Sequence, residues 1–153
     1  MQGPLTPEEI DSTLAEAAYG RLGLHADGKT YVVPVGYAYD GSRLICHSTT
    51  GLKIEMMRKN PQVCFEVEIV ESLGNWRSVI AWGRYVELRG TEAALAVGLL
   101  IDRLTPLLTS PTMPRYGVRS VTPPSRSDHL GESVIYAIEL NEKTGRFERI
   151  DEA

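Results

Sequence analysis

The sequence has 153 residues, 42% hydrophobic and 24% charged, with 14 glycines and 9 prolines spread along it; this is the make-up of one ordinary globular domain, read here as residues 1–153, and not of a fibrous, coiled-coil or disordered chain. Lys and Arg number 16 against 20 Asp and Glu, and the formal charge of -4 speaks against a nucleic-acid surface. The longest stretch without charged or strongly polar residues, Ala93 to Ile101, falls far short of the about 18 to 20 residues that span a bilayer, so no membrane partner is expected.

The first residues, Met1-Gln2-Gly3-Pro4, lack the basic and apolar regions of a secretory leader, and a cytoplasmic protein is expected. Thr6-Pro7-Glu8-Glu9 then supplies an N-cap, a proline at the first helical position and acidic residues at the positive end of the helix dipole. A helix to about Ala18 is predicted, with Ile10, Leu14 and Ala17 or Ala18 toward the core. From Gly20 the period changes to two: Leu22, Leu24 and Ala26 alternate with polar or small residues up to the turn pair Asp27-Gly28. A second strand, Tyr31 to Tyr39, ends at Asp40-Gly41, and a third covers Arg43 to Ser48. Pro34 cannot donate a ladder hydrogen bond, so it marks an edge, a bulge or a place where something other than a strand meets the backbone.

A short helix is predicted from Gly51 to Lys59, with Leu52, Met56 and Ile54 or Met57 on one face, stopped by Asn60-Pro61. Gln62 to Val70 alternates as a strand, and Trp76 to Leu88 is another. A helix beginning at Thr91-Glu92 should carry Leu95, Leu99, Ile101 and Leu104 to about Leu108. Residues 110–131 hold four prolines and three arginines without a period, which reads as a long functional or mobile loop. Ser133 to Leu140 returns to strand, and Lys143-Thr144-Gly145 is expected to turn the chain into a last strand at Arg146 to Ile150. Tight turns favour antiparallel pairing. The expected fold is mainly β: an antiparallel barrel of six or seven strands, with helices at one end and in the crossings.

Cys46 and Cys64 lie in apolar runs without C-x-x-C spacing and read as small hydrophobes. His25, His47 and His129 lack metal-ligand spacing, so no metal site is expected. The chemically informative stretch is His47-Ser48-Thr49-Thr50-Gly51-Leu52-Lys53, where a strand ends in hydroxyls and a glycine before a helix that begins beside a lysine. Helix amides, hydroxyls and one ammonium make an anion site, and a phosphorylated cofactor fits it. No nucleotide P-loop and no GxGxxG fingerprint is present.

Taken in order, the leading helix, GRLGLHADGKTYVVPVGYAYDGSRLICHS, GLKIEMMRKNPQVCFEVE, NWRSVIAWGRYVEL and VIYAIELNEKTGRF resemble the FMN-binding split-barrel superfamily of pyridoxamine 5′-phosphate oxidase-like proteins. Within it the chain is most similar to the 5-nitroimidazole-resistance, nitroreductase-like group. The resemblance implies a homodimer holding FMN at the subunit interface. It implies that the flavin ring lies against Val32, Val33, Pro34 and Val35, that His47, Ser48 and Lys53 meet the phosphate, and that Trp76, Arg77 and Ser78 reach the flavin from a neighbouring strand or the other subunit. His47, with a side chain that titrates near neutrality, is the candidate catalytic proton donor.

The implied activity is FMN-dependent reduction of a small electron-poor substrate, with Tyr116, Arg119 or His129 of the long loop near it. Leu52 stands where many relatives carry arginine, which leaves Arg43 or Arg58 as candidates for the missing cation and a deazaflavin as an alternative cofactor. A flavin- or heme-binding protein with a storage or sensing role and no turnover is the alternative from a different class. True pyridoxine-phosphate oxidation is disfavoured, because Gly51-Leu52-Lys53 replaces the Ser-Arg-Lys of those enzymes.

Overall fold

A computed structural model describes residues 1–108 and 132–150. Its strands are β1 (Gln2–Pro4), β2 (Tyr19–Ala26), β3 (Lys29–Gly36), β4 (Ala38–Tyr39), β5 (Arg43–Thr49), β6 (Gln62–Ser72), β7 (Asn75–Glu87) and β8 (Ser133–Glu148); its helices are α1 (Pro7–Glu16), α2 (Leu52–Lys59) and α3 (Gly90–Leu104), the last followed by a 3₁₀ turn at Thr105–Leu108. All pairings are antiparallel and run β3-β2-β6-β7-β8-β5-β4, with β1 added to β8. The two outermost strands of this order, β3 and β4, are consecutive in sequence. The chain itself closes the barrel at that point, and hydrogen bonds do not.

Local chemistry accounts for most of these elements. Thr6 and Glu9 form a reciprocal capping box, Thr6 N–H to Glu9 Oε2 at 2.9 Å and Glu9 N–H to Thr6 Oγ1 at 3.2 Å. Helix α1 then buries Ile10, Thr13 and Leu14 in one end of the barrel, and the Tyr37 hydroxyl donates to Leu14 O at 2.6 Å. The Asp27–Gly28 turn has positive φ at both residues, 51° and 74°, as a two-residue hairpin whose twist matches its strands requires. Helix α2 closes the opposite end with Ile54, Met56 and Met57, whereas Leu52, predicted to share that face, is 48% exposed. Each fully buried side chain of this size contributes about 1.5–3 kcal/mol of transfer free energy.

The largest correction concerns the last strands. Lys143, Thr144 and Gly145 do not turn the chain: they pair with Ala81, Ile80 and Val79 within one continuous strand, β8. Gly145 is required by packing, since a Cβ there would lie 2.7 Å from Leu5 Cδ1 and 2.9 Å from Ile10 Cγ1. The first half of β8 pairs with β5 and its second half with β1, while β7 follows it throughout; a bulge at Asn141 lets the strand bend. The sheet therefore has eight strands among the described residues, more than the six or seven expected, because the predicted second strand divides at Tyr37 and β1 carries no sequence signal.

Helix α3 rests on the outside of the barrel through Ala96 and Leu100, against Ala38, Ile45, Leu88 and Ala137. The predicted face differs: Leu95, Leu99 and Ile101 are exposed, and of the expected set Leu104 packs against this cluster. Two adjacent stripes of α3 are apolar, and the one that carries Ala96 and Leu100 packs on the sheet. No helix among the described residues is long and apolar enough to cross a membrane. The expected 110–131 loop, with Tyr116, Arg119 and His129, lies outside the described residues.

Candidate functional site

Backbone parity defines a slot. The Tyr37 N–H bonds Ala18 O at 3.1 Å, and the Asp27–Gly28 turn pairs Ala26 with Lys29. Alternation from these two ends turns the backbone groups of Val33 and Val35 toward β2 and those of Val32, Pro34 and Gly36 away from it. On β5, the Asp40 N–H to Arg43 O bond sets the same alternation: Arg43, Ile45, His47 and Thr49 present their backbone groups toward β4 and β3, and Leu44, Cys46 and Ser48 toward β8. Pairing between β4 and β5 stops at Ala38 and Ile45. Beyond that point β3 and β5 run near each other without a ladder, and the free edges of Val32, Pro34 and Gly36 face those of His47 and Thr49.

Pro34 thus lies on an edge, as its missing N–H predicts. That missing donor falls on the slot side, so no bond to β2 is lost. Val32 is 62% exposed and Pro34 is exposed beside it, while Val33 and Val35 point into the barrel core.

The slot leads to the N-terminus of α2. Gly51 is its N-cap, fully extended and without a side-chain cap, so the first amides of the helix have no partner within it. A Cβ at Gly51 would meet nothing within 4 Å, which leaves open space above these amides. Lys53, in the first turn, is half-buried; burial lowers its pKa, and no carboxylate among the described residues pairs with it. His47 is half-buried too, its pKa lowered by burial and then by the Lys53 ammonium, and its Nε2 lies 2.8 Å from Ser133 Oγ. The adjacent Cys46 thiol is fully buried and pushed up to about 12 by desolvation, so it stays protonated.

These groups suit an anion. A partly desolvated ammonium without a carboxylate partner among the described residues, free helix amides and an imidazole gather at one end of the slot. Arg43 and Arg58, the candidates for an additional cation, are engaged elsewhere: Arg43 with Asp40 and Glu92 at 2.9 and 2.8 Å, Arg58 with Glu87 at 2.6 Å. Lys53 carries the positive charge of the cradle.

The family model described as pyridoxamine 5′-phosphate oxidase matches residues 6–147. The chain belongs to this family. An uncharacterized protein of Rhizobium meliloti (strain 1021) is 31% identical over 144 residues, covering 93% of this chain and 92% of that protein. Among solved structures, an FAD-binding protein from Mesorhizobium loti is 28% identical, with a TM-score of 0.78 and coverage of 98% of each chain. A candidate 5-nitroimidazole antibiotic resistance protein from Bacteroides thetaiotaomicron shares the fold at 19% identity, with a TM-score of 0.69 and coverage of 96% of this chain and 87% of that one. The split-barrel fold of the pyridoxamine 5′-phosphate oxidase family is therefore the fold of this chain.

Within one chain of this family member, Val32, Pro34, His47 and Lys53 lie along the slot, whereas Val33 and Val35 turn their backbone to β2 and their side chains to the core, and Ser48 turns its backbone to β8. Strand alternation separates two neighbours: Cys46 and Leu44 point into the core, which places Ser48 on the inner surface, whereas His47 shares the outer surface with Ile45. Trp76, Arg77 and Ser78 begin β7 at the α1 end of the barrel. The run from Ser78 to Leu88, about 33 Å of strand path, separates them from the level of His47, since Leu88 N–H bonds Ile135 O and Ile135 pairs with His47. At the α1 end Trp76 Nε1 donates to Glu148 Oε2 at 3.2 Å, and Arg77 bonds Thr13 Oγ1 at 3.2 Å and Glu16. Sequence reasoning missed Gly36 and Ser133. Gly36 could be found from ladder parity once the hairpin register is known; Ser133 stands 86 residues from His47 and carries no local signal.

Proposed function

We propose that the chain is a flavin-dependent oxidoreductase that holds FMN along the slot between β3 and β5 and reduces a small electron-poor substrate. The observation that carries this reading is Lys53, a half-buried cation without a carboxylate partner at an uncapped helix N-terminus, at the end of two unpaired strand edges. A phosphate suits that end, and a planar ring with hydrogen-bonding edges suits the backbone groups of Val32, Pro34 and Gly36. The flavin would supply the electron-transfer chemistry. The chain's part is to fix its position, exclude water and present His47 beside the slot. The lowered pKa of His47 keeps the imidazole neutral at neutral pH, where it donates a hydrogen bond and delivers a proton only from the imidazolium form that lower pH supplies.

A homodimer completes this reading. Val32, Gly23, Cys64 and Trp82 occupy one row across β3, β2, β6 and β7, and Val32, Trp82 and the nearby Ile80 are 62%, 38% and 39% exposed on the outer surface. Such a flat apolar row suits a second copy. In a two-fold pair, Trp76, Arg77 and Ser78 of one subunit would serve the slot of the other, which accounts for their distance from their own.

The test is an absorption spectrum of the purified protein after addition of FMN or FAD and desalting, since the Mesorhizobium loti relative is named for FAD. Retained bands near ~370 and ~450 nm are expected of an oxidised flavin, followed by NAD(P)H oxidation with a nitroaromatic acceptor. A colourless protein that rejects both flavins overturns the reading and directs titration to a deazaflavin or heme. A yellow protein without turnover supports a storage or sensing role.

A further inference from the structure

Ser133 opens β8, and its hydroxyl oxygen lies 2.8 Å from His47 Nε2. The β5–β8 register pairs His47 with Ile135 and Thr49 with Ser133, so the contact crosses the ladder diagonally, on the outer surface shared by Ile45 and Ile135. A neutral imidazole has one N–H and one lone pair, and the hydrogen bond made at one nitrogen decides which of them the other presents. Ser133 occupies Nε2. What His47 offers to a ligand therefore comes from Nδ1.

The direction of the Ser133 bond decides the chemistry. If the hydroxyl accepted from Nε2–H, Nδ1 would turn a lone pair toward the cradle, and an anion there would face it unfavourably. If the hydroxyl donates, Nδ1 carries the proton and adds a donor to those of Lys53 and the α2 amides. We propose that Ser133 is a positioning residue: its hydroxyl donates to Nε2 and fixes His47 as the Nδ1–H tautomer, ready to donate to the anionic group held at the N-terminus of α2. This rests on the flavin reading above.

The surroundings of His47 do not override that choice. The charge acting on it is the Lys53 ammonium from α2; its β5 neighbour Cys46 is a protonated thiol. The facing β3 residues Val32 to Gly36 have no ionisable side chain, and on β8 neither Ser133 nor Ile135 ionises at ordinary pH, Glu132 beside them being exposed.

The experiment is nitrogen-15 NMR of histidine-labelled whole protein, saturated with inorganic phosphate in place of flavin so that an anion occupies the cradle, near neutral pH, with the His47 signals assigned through His47→Gln. The wild-type protein is expected to show the Nδ1–H pattern at His47, Ser133→Thr to keep it, and Ser133→Ala to lose it. In a parallel titration FMN affinity should fall about ten- to a hundredfold in Ser133→Ala and recover in Ser133→Thr, as loss of one charge-assisted hydrogen bond implies. A wild-type proton on Nε2, a pattern unchanged in Ser133→Ala, or a switched tautomer with unchanged FMN affinity overturns the assignment. A wild-type protein with the expected tautomer that takes no flavin overturns the flavin reading alone and leaves Ser133 as the group that sets the His47 tautomer.

Discussion

Gly36 and His47 stand opposite each other in the register begun by Ala38–Ile45 and Tyr39–Leu44, yet no ladder pair joins them. The same register sets Pro34 against Thr49, at a position where pairing would need the N–H that proline lacks. Pro34 thereby stops β3 from zipping onto β5 and keeps both edges available. A residue that weakens the sheet is what maintains the slot.

Replacing Lys53 separates binding from stability. Lys53→Met should raise the dissociation constant for FMN about ten- to a hundredfold, the scale of a lost charge-assisted interaction. The flavin-free variant should unfold at a higher urea concentration than the wild type, because a half-buried ammonium without a counter-ion is replaced by an apolar chain. Fluorescence titration and urea unfolding measure the two effects, and a lower midpoint with unchanged FMN affinity would assign Lys53 to the fold.

Trp82 tests the dimer. It is 38% exposed and lies on the outside of β7 opposite Cys64, so Trp82→Arg should fold and run as a monomer in sedimentation equilibrium. Flavin retention should fall with it. A variant that remains dimeric would move the interface elsewhere, and the exposed Leu95 and Leu99 of α3 would be the next residues to change.

Acid should loosen the α2 end of the barrel through Glu87. Its carboxylate accepts from Arg58 Nε at 2.6 Å and from the Tyr85 hydroxyl at 2.7 Å, and these bonds, Arg58 first, hold its pKa below the ordinary carboxylate value. A group with a lowered folded-state pKa contributes stability that is complete above its unfolded pKa and is lost as pH falls through the folded one. The wild-type urea midpoint should therefore drop between about pH 5 and about pH 3 more steeply than that of Glu87→Gln. Equal slopes would remove Glu87 from the acid response and leave it to other paired carboxylates such as Asp11, whose pKa the Lys143 hydrogen bond lowers.

Much of the fold was legible because its signals are local. The capping box, the alternation of Gln62 to Val70 and the Asp27–Gly28 turn each draw on residues a few positions apart. Lys143-Thr144-Gly145 misled because a glycine demanded by close packing looks the same in sequence as one demanded by a turn; what decides it is Leu5 and Ile10, at the other end of the chain. Helix α3 offered two apolar stripes, and the choice between them is made by Ala38, Ile45, Leu88 and Ala137, which come from other parts of the chain. At the site, the His47 to Lys53 stretch was readable from residue type and order. The slot was not, since it depends on which way backbone groups face, and neither was Ser133, which β8 delivers from far along the chain.

The placement of β8 also bears on how the protein is made. Last in the chain among the described strands, it lies between β7 and β5 and carries β1 as well. Until it leaves the ribosome, β7 and β5 have bare edges and the Val79, Tyr85 and Leu44 side chains lack their cover. The barrel cannot assemble progressively as it emerges; it must wait for one strand and then close around it. Such non-local closure makes folding slow and leaves a nascent chain with exposed strand edges that need shielding from neighbouring chains.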